Sequence, residues 1–220
     1  MDGGWYVAAL FFGLGDWIAV ATGRAWLRVV TKPGVMVALI AGFSLAGGWQ
    51  EKTFWFGLGL VFCLVGDVML LLPPGWFVGG LGAFLTAHIF YIIGFNQNIP
   101  RLGWESLALV VAVLGIDFFG YRRLRRALMA KPQSRWLCLP VLVYVIVISL
   151  MLLSALLTPL RLNWPPDASL LVVVGALLFY ISDTVLAHNR FAGPIRGGRV
   201  MVIVTYHLAQ TAIVSGVLLL

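Results

Sequence analysis

Charge is what this sequence has least of. Asp, Glu, Lys and Arg make up only 10% of its 220 residues, against about a quarter in soluble domains. A chain this poor in charge has too little polar surface to face water on all sides, which excludes a soluble globular domain and a disordered segment. A nucleic-acid-binding module is excluded as well, because it needs dense basic patches in water. Cysteine is almost absent. Cys63 and Cys138 lie inside apolar runs without disulfide or metal-ligand spacing, so each reads as a small buried hydrophobe. No H-E-x-x-H or similarly dense ligand motif occurs. The opening Met1-Asp2-Gly3-Gly4 lacks the positive stretch of a signal peptide and no small-residue cleavage site follows. The first apolar run is therefore expected to be a retained helix.

What is present is apolar sequence, 61% of the chain. It falls into stretches near 5–22, 33–49, 54–72, 76–97, 104–120, 136–157, 169–188 and 200–220. A bilayer-crossing helix needs about 20 residues, and strands of about 10 would suffice for a barrel. These lengths predict an all-α integral membrane protein, a bundle of about eight transmembrane helices forming one domain over 1–220. Breakers separate the spans: Lys32-Pro33 at the head of span two, Pro73-Pro74-Gly75, Asn163-Trp164-Pro165-Pro166, and Gly193-Pro194 with Gly197-Gly198. Of the 15 Lys and Arg, only Lys52, Arg101 and Arg161 fall outside the loops after spans one, three, five and seven. Basic loops stay cytoplasmic, so both termini are expected on the non-cytoplasmic side. The expected location is a multi-pass place in a membrane, the inner cell membrane if the source is bacterial.

Ionisable groups within such spans are costly and mark functional sites by default. Here they are Asp16, Asp67, His88, Asp117 and Asp183. Asp67 and Asp183 lie at matched depth, about 20 Å into spans three and seven, which run in the same direction. Tyr206, His207 and Gln210 of span eight reach the same layer, about 9–15 Å from the cytoplasmic end, within an arc of about 100°. His88 sits deeper, on one stripe of span four with Phe84, Tyr91 and Phe95. One polar cavity in the cytoplasmic half is predicted. Asp16 and Asp117 lie next to basic loops, where pairing with Arg24 and Arg122 accounts for them.

These residues also carry a resemblance. Leu64-Val65-Gly66-Asp67-Val68-Met69-Leu70-Leu71, then Gly82-Ala83-Phe84 with His88 and Tyr91, resembles the first signature of the YhhN family of membrane proteins. Gly175-Ala176-Leu177-Leu178-Phe179 with Ser182-Asp183 is similar to the second, Tyr206 with Gln210 to the last, and Lys32-Pro33 also fits. Characterised members are lysoplasmalogenases. The resemblance implies hydrolysis of the vinyl ether bond of lysoplasmalogens (alkenyl-glycerophosphocholine or -ethanolamine) to a fatty aldehyde and a glycerophospho-alcohol, with no cofactor. It implies a lysophospholipid substrate and membrane lipids as partners, and no nucleic acid.

That chemistry gives the polar layer a purpose. Proton transfer to a vinyl carbon leaves an oxocarbenium ion, which water attacks. The enzyme needs one carboxylic acid that still holds its proton and a second group that stabilises the cation, the division of labour used by glycosidases. Asp67 and Asp183 are the expected catalytic pair, with either in either role. His88, Tyr91, Ser182, Tyr206, His207 and Gln210 are expected to support them, and Lys32, at the boundary, to meet the lipid phosphate. Two alternatives use the same residues. A zinc hydrolase would draw ligands from Asp67, His88, Asp183 and His207. A non-catalytic lipid or small-molecule transporter would use the carboxylates as proton carriers.

Overall fold

The computed structural model describes residues 3–101 and 103–220. Eight α-helices follow one another: α1 (Gly4–Ala21), α2 (Ala25–Leu45), α3 (Phe54–Leu71), α4 (Phe77–Phe95), α5 (Trp104–Met129), α6 (Cys138–Leu156), α7 (Pro166–Ala187) and α8 (Gly198–Val217). Each is long and apolar enough to cross a membrane, and no strand occurs among the described residues. Helices are what an apolar chain must form in lipid, where every backbone N–H and C=O has to be satisfied within its own segment. Short 3₁₀ turns close the gaps at Pro74–Trp76, Pro132–Leu137 and Thr158–Leu160.

The connection from α7 to α8 is different. α7 runs on into a π-helical turn, His188–Ala192, and the chain then reverses through Gly193 and Gly197. Both glycines have positive φ, +144° and +70°, a region that side chains resist. This turn hangs over one end of the bundle. Arg28 in the first turn of α2, Arg190 in the turn itself and Arg199 at the start of α8 meet there, and Arg122, Arg123, Arg125 and Arg126 lie in the last turns of α5, so it is the basic end.

Two helices differ from the apolar runs that announced them. α2 begins at Ala25, eight residues before Pro33, and contains that proline. The helix restarts directly after the positive-φ turn at Gly23, and the carbonyl freed by proline is tolerated within a membrane bundle. α5 continues past residue 120 to Met129, through its arginines. Arginine is a good helix former, and nothing in the segment breaks the helix before Pro132.

Sequential neighbours form three tight hairpins, α1–α2, α3–α4 and α7–α8; α8 also touches α1, α2 and α3, and α4 packs on α6. Small residues permit the closest approaches. A Cβ on Gly175 of α7 would lie 2.9 Å from the Ala209 carbonyl of α8, and one on Gly216 would lie 2.8 Å from the Ala168 carbonyl. The interior is filled by Phe43, Phe56, Tyr91, Phe95, Met151 and Phe179, all fully buried. Large side chains such as Phe11, Leu45, Phe119 and Leu139 point outward, as a lipid-facing surface requires. α5 is the peripheral helix: only Ser106, Val113, Leu124 and Leu128 of it are buried.

Candidate active site

The Gly66-Asp67 pair sets the first half of the site. Gly66 lets the Phe84 ring of α4 press against α3, since a Cβ there would lie 2.7 Å from the ring. The next residue, Asp67, is only 1% exposed. Its Oδ2 accepts a hydrogen bond from the Tyr206 hydroxyl at 2.7 Å. The Lys32 ammonium stands 2.9 Å from Oδ1 as its counter-ion. The sequence puts Lys32 at the membrane boundary, facing a phosphate. It is the eighth residue of α2 and is 4% exposed. A buried carboxylate needs a counter-charge, and this ammonium supplies it.

The second half is built on α7, α4 and α6. The Tyr144 hydroxyl of α6 donates to Asp183 Oδ2. His88 Nε2 is 3.4 Å from the same oxygen and 3.2 Å from the tyrosine oxygen. The imidazole is fully buried against the Phe179 ring, their centres 4.6 Å apart. Each carboxylate thus accepts from a phenol, but Asp183 has an imidazole beside it where Asp67 has an ammonium. Tyr144 is absent from the sequence-based site. Its only signal is a lone hydroxyl in the middle of the apolar run Val141-Leu142-Val143-Tyr144-Val145.

Both carboxylates line one cleft of about 390 Å³ that leads to the basic end. Lys32, Phe84, Ser182 and Tyr206 line its depth, and Arg28, Asn189, Arg190 and Arg199 its mouth. The π-helical turn brings Asn189 and Arg190 there, and the Arg190 guanidinium is stacked 4.5 Å over the Phe77 ring. The sequence reading counts these arginines only as markers of orientation. Their convergence gives the cleft a cationic entrance above two buried carboxylates.

Comparison with known proteins places the chain in a family. A profile of the YhhN family matches residues 27–217, which takes in every residue lining the cleft except Val20. The chain belongs to the YhhN family. It is 30% identical over 195 residues to lysoplasmalogenase TMEM86B of Homo sapiens, covering 86% of this chain and 74% of that protein. To lysoplasmalogenase TMEM86A of Homo sapiens it is 34% identical over 175 residues, 77% of this chain and 66% of that protein. To a lysoplasmalogenase of Mycobacterium tuberculosis it is 31% identical over 179 residues, 77% of this chain and 62% of that protein. No solved structure matches the chain.

The remaining expected site residues of this YhhN protein are divided between roles. Tyr91 and Gln210 form a second polar layer with Cys63: the Tyr91 hydroxyl donates to Gln210 Oε1 at 2.8 Å, and Gln210 Nε2 to Cys63 Sγ at 2.9 Å. Cys63, Tyr91 and Gln210 each lie about one helical turn from Asp67, His88 and Tyr206 respectively. The layer is thus the floor beneath the carboxylates. Ser182 Oγ donates to the Val202 carbonyl at 2.9 Å, a tie between α7 and α8. His207 turns away from the carboxylates: its Nδ1 accepts a hydrogen bond from Trp17 Nε1 of α1 at 3.1 Å. The four residues of the zinc alternative accordingly do not converge, and no group of three ligand-type side chains gathers among the described residues.

Asp16 and Asp117 take other partners than the arginines nearest them in sequence. Asp16 accepts from Arg28 Nε and Thr31 Oγ1, each at 3.2 Å, because both face α1 from the first turns of α2. Asp117 accepts from the Tyr180 hydroxyl at 2.6 Å, while Arg122 lies over the Phe118 ring.

Proposed function

We propose that this YhhN protein hydrolyses the vinyl ether bond of lysoplasmalogens in the cleft, with Asp183 as the acid and Asp67 as the carboxylate that remains ionised. The observation that carries the assignment is the unequal company of the two aspartates. An ion buried in an apolar bundle is stable only beside its counter-ion. Asp67 has one at 2.9 Å. Asp183 shares a cluster with Tyr144 and His88, and a proton held there is available for transfer.

In this scheme Asp183 gives its proton to the vinyl carbon remote from the ether oxygen, and the adjacent carbon becomes an oxocarbenium centre. The negative charge of Asp67 stabilises that cation across the cleft, the role a second carboxylate plays in glycoside hydrolysis. Water held by Asp67 and Tyr206 adds to the oxocarbenium carbon, and its surplus proton returns to the Asp183 cluster. The hemiacetal then breaks its bond to the glycerol oxygen, which takes up the hydroxyl proton. Aldehyde and glycerophospho-alcohol leave. Arg28, Arg190 and Arg199 hold the phosphate at the mouth, where guanidinium groups favour it.

Relatives named lysoplasmalogenase over most of the chain support the substrate class. The test is aldehyde release by purified protein given alkenyl lysophospholipids, their saturated alkyl analogues and diradyl plasmalogens. Aldehyde is expected from the first, none from the second and little from the third, because a saturated ether has no carbon that can accept a proton. Comparable turnover of the saturated analogue would remove the mechanism. Silence across several headgroups would favour a non-catalytic lipid carrier.

A further inference from the structure

Beside the polar cleft lies an apolar slot of about 90 Å³ between α4, α5, α6 and α7. Gly120 and Leu124 of α5 and Val141, Val145 and Ile148 of α6 form much of its wall. It exists because α5 packs on α6 and on the π-helical turn, leaving a gap toward α4 and α7. Asp183, Phe77 and Leu186 line both the slot and the cleft. Tyr144, the donor to Asp183, also lines the slot. The proposed acid therefore stands at the junction of an arginine-rich space and a hydrocarbon-like one.

We infer that the slot receives the first carbons of the substrate's single alkenyl chain, an inference that rests on the cleft being the lysolipid site. A lysoplasmalogen has a charged end, a hydrocarbon end and the vinyl ether where they join. With its phosphate at Arg28, Arg190 and Arg199 and its chain along α5 and α6, that join falls at Asp183. The slot follows α5 from Ile116 to Leu124, about 12 Å, and a volume of about 90 Å³ leaves no room for a second chain. The carboxylate on its wall, Asp117, has its Oδ1 engaged by Tyr180. Lipid tails are as apolar as these side chains, so leaving the bilayer for the slot gains little by desolvation. What the slot supplies is position, holding the first chain carbons in register with the acid.

Gly120 provides the probe. A Cβ there would meet nothing within 4 Å, so a side chain fits the protein while narrowing the slot. A saturated alkyl lysophospholipid with a diazirine within the first few carbons of its chain, photolysed with the full-length protein and mapped by peptide mass spectrometry, reads chain position without catalysis. Labelling is expected at Leu124, Val141, Val145 and Ile148. It should fall to background with excess unlabelled alkyl lysophospholipid and in Gly120→Phe, and persist in Gly120→Ala. Labels confined to outward residues such as Phe11 and Leu139, insensitive to competitor and to Gly120→Phe, would overturn the slot. Slot labelling by a protein that releases no aldehyde from alkenyl lipid would instead count against hydrolysis and leave the chain site standing.

Discussion

Asp183→Asn and Asp67→Asn are each expected to abolish aldehyde release, and the double variant to lose little more than either alone. General acid catalysis contributes about 10²–10⁴-fold, and groups that act as one unit are strongly non-additive. In Asp183→Asn the amide oxygen still accepts from Tyr144, so the bundle keeps its contacts and loses only the transferable proton. Thermal stability in detergent should therefore stay near the parent value. Asp67→Asn differs, because it strands the Lys32 ammonium 2.9 Å from a group that no longer carries charge. Its activity loss should come with a lower unfolding temperature. Steady-state kinetics on well-folded protein decides the matter. Near-normal turnover by Asp183→Asn would remove it as the acid, and additive losses would mean that the aspartates act separately.

The second large effect concerns Lys32. Removing one partner of a buried ion pair costs about 3–5 kcal/mol, since the other charge remains without compensation. Lys32→Met should thus destabilise the protein strongly although methionine fits an apolar interior. The double variant Lys32→Met/Asp67→Asn, with both charges gone, should recover most of the unfolding temperature and none of the activity. This separates structure from chemistry at one site. If Lys32→Met unfolds at the parental temperature, the pair is not an obligatory ion pair, and the argument that keeps Asp67 ionised falls with it. If Lys32 served only the lipid phosphate, its loss would raise KM and leave stability alone.

Much of this layout is legible in the sequence alone. A membrane bundle declares itself through uninterrupted apolar runs, and Asp67 and Asp183 stand out because carboxylates are expensive there. Their common depth follows from counting residues along spans of equal direction. What stayed hidden depended on partners from other helices or on backbone geometry that period alone does not reveal. Lys32-Pro33 resembles a helix opening because proline is favoured in the first turn, yet α2 starts at Ala25 and carries lysine into the interior. Tyr206 and His207 are adjacent, so about 100° separates them. That angle is enough to send one to Asp67 on α3 and the other to Trp17 on α1. The π-helical turn at His188–Ala192 adds residues to a turn and breaks the phase that would otherwise place Arg190. Tyr144 has no neighbouring motif at all. Its meaning comes from Asp183, 39 residues later in the chain.

Protonation of carbon is the central claim, and solvent deuterium tests it most directly. An alkenyl lysophospholipid would be hydrolysed in D2O with the aldehyde reduced as it forms, so that later exchange is prevented, and the alcohol analysed by mass spectrometry. A saturated aldehyde carried through the same treatment reports any exchange outside the enzyme. Transfer from an acid that equilibrates with solvent predicts a single deuterium on the carbon next to the former aldehyde carbon. Product with no deuterium at that carbon would contradict the account, because the ether bond would then have been broken without a proton reaching the double bond.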